Sequence, residues 1–98
     1  MKNIKLHTGA QEDLKSGIEW YDAQLDGLGK IFKKVIKDTI LKIQKKPSWY
    51  LNEEEPIKKA YVPRFPYKIL FTEESEVVII WAIAHLHRKP KFWKERIG

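Results

Sequence analysis

Three residues near the C-terminus could do chemistry together: His85, His87 and Arg88. An imidazole exchanges protons near neutral pH, and a guanidinium stabilises anionic oxygen. With Arg64 and Lys68 they combine groups that could move a proton with groups that could stabilise developing negative charge. The same cations could instead hold an anionic partner without reacting. Each histidine also has a structural reading, as a strand-end ring bonded to the backbone, and a metal reading that lacks a third ligand beyond His7. Arg64 either anchors a strand start or contacts phosphate. Beyond them lie Lys89, Lys91, Trp93 and Arg96, a cationic and aromatic tail. One reading of the tail is a contact surface, and another is a short helix packing Phe92 and Trp93 onto a sheet.

These residues follow an apolar run, Val77 to Ala84, with no linker between. The run reads as a buried strand that carries the cluster to the surface. It is apolar on both parities, so it belongs inside a sheet with both faces covered. Upstream, Phe65, Tyr67, Ile69 and Phe71 alternate in a second strand, and Ile57 to Val62 form a third. Pro66 must sit at a strand start or edge. Residues 73–76 form a polar turn, and residues 47–56, with Glu53, Glu54 and Glu55, a solvated loop.

The first half has helical period. Ile4 and Leu6 suggest a short strand. Thr8 then serves as N-cap, with Gln11 completing a capping box. Ala10, Leu14, Ile18, Tyr21 and Leu25 mark one apolar face. Gly27-Leu28-Gly29 separates this helix from a second, whose stripe is Leu28, Phe32, Val35, Ile36, Thr39, Ile40 and Ile43. Lys30, Lys33, Lys34 and Lys37 share the opposite side, either as a solvated face or as a patch for acidic residues or nucleic acid. Trp20 and Leu41 lie off the stripes and are candidate interface anchors. The order β-α-α-β-β-β predicts an α+β fold of two layers. An αα-hairpin packs on a mainly antiparallel four-stranded sheet, and residues 1–98 form one domain.

Composition narrows the classes. The chain has 98 residues, no cysteine and a net charge of +6, which excludes disulfides and thiolate metal sites and favours acidic or phosphate-rich partners. No cofactor is indicated. The N-terminus has no signal-peptide pattern and no apolar run spans a bilayer, so the expectation is a cytoplasmic protein without membrane contact.

In order, Ala10, Asp13-Leu14, Trp20-Tyr21 with Gln24, Gly27-Leu28-Gly29 and Phe32 lead to Pro47 and Arg64-Phe65-Pro66-Tyr67. The apolar strand, His85, Arg88, Pro90, Phe92-Trp93 and Arg96 follow. This ordered set resembles the RelE/ParE superfamily of toxins from type II toxin–antitoxin modules, above all its ParE-like, plasmid stabilisation branch. The resemblance implies a growth-inhibiting toxin neutralised by a cognate antitoxin, as a homodimer or a toxin–antitoxin hetero-oligomer. It implies one of two targets: DNA gyrase for a ParE-like protein, or mRNA on the ribosome for a RelE-like endonuclease. On the nuclease alternative, His85, His87, Arg88, Arg64 and Lys68 are the catalytic candidates. The tyrosine of RelE-like enzymes then falls near Trp93, whose indole cannot exchange a proton usefully. The target-binding candidates are Arg88, Lys89, Lys91, Trp93 and Arg96. The antitoxin-binding candidates are Trp20, Lys30, Lys34, Lys37 and Leu41.

Overall fold

Ile4 and Leu6 lie in strand β1 (Asn3–Leu6) of the computed structural model, which describes residues 1–97. The chain passes directly into helix α1 (Thr8–Gln24). Its cap differs from the expected one. Thr8 is already helical, and His7 caps instead, its Nδ1 accepting the Gly9 N–H at 2.9 Å. The Gln11 amide donates to the Leu6 carbonyl at 3.0 Å rather than closing a box. Ala10, Gly17 and Tyr21 are buried. Leu25, expected on that face, is instead an exposed extended residue that ends the helix.

Helix α2 (Leu28–Lys45) folds back along α1. Gly27 makes the reversal in the left-handed region, φ 89°, which glycine adopts without a Cβ clash. α1 supplies the cap that α2 lacks: the Gly29 N–H donates to Asp22 Oδ1 at 2.7 Å. The predicted stripe packs inward, with Phe32, Ile36, Thr39, Ile40 and Ile43 buried. Thr39 satisfies its hydroxyl on the Val35 carbonyl at 2.8 Å. A 3-10 turn at Pro47–Trp49 then leads to the sheet.

The sheet adds β2 (Asn52–Glu54), β3 (Ile57–Tyr61), β4 (Tyr67–Glu73) and β5 (Val77–His85), in the spatial order β1-β5-β4-β3-β2. β1 runs parallel to β5, and every other pair is antiparallel. There are five strands, not four. β2 lies in the segment read as a loop, and three residues are too few to display an alternation. Pro66 directly precedes β4, as expected, so Phe65 falls in the turn before the strand.

A bulge breaks the β4–β5 register. Leu70 faces Ala82 and Phe71 faces Ile80, which leaves Trp81 as the extra residue. Side chains change face across it: Val78, Ile80 and Ile83 all join the core under the helices. The other sheet face is covered by the tail. Trp93 is 4% exposed and packs with Ile57, Leu70 and Ala82, beside Trp81, Phe92 and Ile97. β5 is apolar on both parities because each face has a cover. A last short helix, α3 (Lys94–Ile97), ends the described chain. Among the described residues no helix is long and apolar enough to cross a membrane.

Candidate functional site

β1 pairs with β5 only as far as Ile80, and the His7 N–H closes the ladder on the Ile80 carbonyl at 2.9 Å. β5 continues to His85 with that edge uncovered. Side chains take over from the missing strand. Asp13 of α1 accepts the Ile83 N–H at 3.0 Å, and Arg96 donates to the Trp81 carbonyl at 3.0 Å. The two side chains also bind each other in a fork, Nη1 to Oδ2 at 2.7 Å and Nη2 to Oδ1 at 3.1 Å. Arg88 adds Nη1 to Oδ1 at 2.8 Å. Phe92 sits beneath both cations, 3.7 Å from the Arg88 guanidinium and 5.0 Å from that of Arg96.

The three charges differ in exposure: 7% for the Asp13 side chain, 15% for Arg96 and 39% for Arg88. Burial raises the carboxyl's pKa, but the bonds from Arg96, Arg88 and the Ile83 N–H together hold it below the ordinary value. Asp13 is therefore a fixed anion that joins α1, β5 and the tail. Sequence reasoning gave it no role. Its signal was a carboxylate three residues after Ala10 and four before Gly17, on the helix face that is buried.

Beside this cluster a cleft of about 440 Å³ lies between α1 and the end of β5. Gly17 and Trp20 form one wall, Tyr67 and His85 the other, and Arg88 and Arg96 the end. Trp20 is 57% exposed and meets Tyr21 edge-on at 5.0 Å. Tyr67 meets His85 edge-on at 5.3 Å. Desolvation, helped by Tyr21 and Asp13, pushes the Tyr67 phenol up, so it stays protonated at neutral pH. The His87 N–H donates to His85 Nδ1 at 3.1 Å, which fixes the ring's orientation. This arrangement can hold an apolar or aromatic side chain against Trp20 and Tyr67 and an anion against Arg88.

The nuclease candidates converge only in part. His85, His87 and Arg88 lie together, with the two imidazoles 5.3 Å apart. Lys68 borders a small recess with His85 and Arg88, but its ammonium is already engaged. It pairs with Ala84 across the strands while Tyr67 pairs with His85, so Lys68 and His85 point to opposite sheet faces. Its ammonium is held by both oxygens of Glu53, at 2.9 and 2.8 Å. Arg64 is exposed in the turn before β4, with φ 71°.

The target-binding candidates also divide. Lys89 is exposed. Lys91 pairs with Glu54 at 3.1 Å, as does Lys94 at 3.2 Å, and these bonds lower the Glu54 pKa. Glu53 and Glu54 thus bind lysines at the sheet edge, where a solvated loop was expected. Trp93 differs most: its ring is buried, because the far sheet face needs an apolar cover. Arg96, also a target-binding candidate, is built into the fold through Asp13 and the Trp81 carbonyl. Of the antitoxin-binding candidates, Trp20 faces the cleft, while Lys30, Lys34, Lys37 and Leu41 stand on the solvent side of α2. Lys34 pairs there with Asp38 at 3.3 Å. Among the described residues no three His, Asp or Glu side chains gather as a metal site.

The architecture occurs elsewhere. A chain of the solved structure described as "Chromosomal ParDE TA system from P. aeruginosa" matches with a TM-score of 0.78 at 16% sequence identity. The match covers 87% of the present chain and 96% of that one. The two share their fold. No protein-family model and no curated protein sequence matches this chain.

Proposed function

We propose that this chain is the toxin of a type II toxin–antitoxin pair and arrests growth by binding a macromolecular target. The observation that carries the reading is the fold shared with a chain of a ParDE system. Lys68 is engaged by Glu53 and Arg64 lies apart in the turn before β4, which favours binding over RNA cleavage, since general acid–base catalysis needs free groups within reach of one bond. DNA gyrase is the target that the ParE-like resemblance implies. Arg88 is the principal contact, because its guanidinium is part exposed at the cleft while Arg96 and Trp93 are packed. The cognate antitoxin covers Trp20 and the cleft, and both proteins act in the cytoplasm.

Controlled expression tests this, with DNA synthesis, translation and transcript integrity followed separately. Growth arrest with early loss of DNA synthesis and intact transcripts is expected. Prompt cleavage of mRNA would overturn the binding mechanism in favour of the endonuclease. A folded product that leaves growth unchanged would overturn the toxin reading itself.

A further inference from the structure

A second surface lies at the far end of the sheet. Gln44 of α2 donates to the Lys2 carbonyl at 2.7 Å, next to Asn3, which pairs with Val77 at the start of β5. The cleft is at Ile83 and His85, about 20 Å further along the strand at 3.3 Å per residue. Here α2 ends in Lys42, Lys45 and Lys46, and the chain turns through Pro47. These lysines, with Trp49 and Tyr50, line a recess of about 290 Å³ that has no acidic residue in its wall.

The aromatic pair is held in place. Pro47 is buried, the Trp49 N–H donates to the Lys46 carbonyl at 3.1 Å, and Tyr50 packs edge-on against the buried Phe71 at 5.7 Å. Trp49 nevertheless stands 74% exposed, with the Lys46 ammonium 4.1 Å from its ring centre. A large flat ring kept in solvent on a rigid turn, ringed by ammonium groups, does nothing for the core.

We propose that this patch binds single-stranded nucleic acid, with a base stacked on Trp49 and flanking phosphates on Lys42, Lys45 and Lys46. Stacking on an exposed indole accepts any base, and lysine serves phosphate as a point charge. An acidic peptide would match the charge but leave unused the exposed ring surface that Lys46 does not cover. The proposal does not rest on the toxin reading.

The test is fluorescence anisotropy of a labelled 12-mer oligothymidylate with the intact protein. Saturable binding is expected, with a log–log salt slope of about −2 if three phosphates are neutralised. Trp49→Ala should weaken it about tenfold and Trp49→Phe by much less. K42E/K45E/K46E should abolish it, and Arg88→Ala should leave it unchanged. Circular dichroism of each variant checks the fold. Failure of the intact protein to bind would overturn the proposal. So would Trp49→Ala binding as tightly as the parent, equal displacement by an oligoglutamate peptide, or loss in Arg88→Ala instead.

Discussion

Arg96→Ala separates a structural cation from a contact residue. The substitution removes two bonds to Asp13 and one to the Trp81 carbonyl, and leaves the carboxylate with Arg88 and the Ile83 N–H. Stripping one partner from a buried ion pair costs about 3–5 kcal/mol. Arg88 remains to hold Asp13, so the lower end applies, about 3 kcal/mol. A domain of this size has only about 5–15 kcal/mol in all. At about 4–8 °C per kcal/mol, Tm should fall by roughly 12–24 °C. Asp13→Asn keeps an oxygen for the Ile83 N–H but removes the anion. In the double variant neither charge is left alone, so it should be more stable than the two single losses together imply, by about 1–2 kcal/mol. Urea unfolding followed by circular dichroism measures all three. The pKa of Asp13 is lower folded than unfolded, so its contribution is complete above the ordinary value of 3.8 and is lost as pH falls below that, through the folded-state pKa. The stability gap between the parent and Asp13→Asn should be flat near neutrality and shrink below that value. An Arg96→Ala loss under 1 kcal/mol, or strict additivity in the double variant, would refute the bridging role.

Three other outcomes are expected. Arg88→Ala, with one bond to Asp13 and a part-exposed guanidinium, should cost only about 1 kcal/mol yet abolish growth arrest; expression assays paired with thermal melts separate the two effects. Trp20→Ala should weaken binding of the cognate antitoxin by about tenfold or more, read by isothermal calorimetry, since exposed aromatic anchors carry interface energy. Gly29→Ala should destabilise by about 1–3 kcal/mol in urea, despite alanine's better helix propensity, because its Cβ would collide with the Ile18 carbonyl and approach the Asp22 carboxyl within 2.7 Å.

The helical half was legible because each helix faces one partner. Phe32, Ile36, Ile40 and Ile43 all point at the sheet, so a single stripe records them. β5 was legible as a strand, since only a doubly covered strand is apolar on both parities. Its bulge was hidden for the same reason: with no polar face, the displacement of Trp81 leaves no break in the pattern. The site was the least legible part. Asp13 meets its partners 70 to 83 residues away, and no local period registers such contacts. The tail shows the same limit. Arg88 and Arg96 flank the same run of lysines and aromatic rings, and in sequence they are interchangeable. What distinguishes them is that β1 stops at Leu6. The exposed carbonyl of Trp81 and N–H of Ile83 must then be satisfied, and a guanidinium fork on a buried carboxylate does both. Arg96 is committed to that task by its place over Phe92 and against α1. Arg88 gives Asp13 a single bond, which leaves most of its donors for a partner. The short first strand therefore determines which of two like cations remains available for binding.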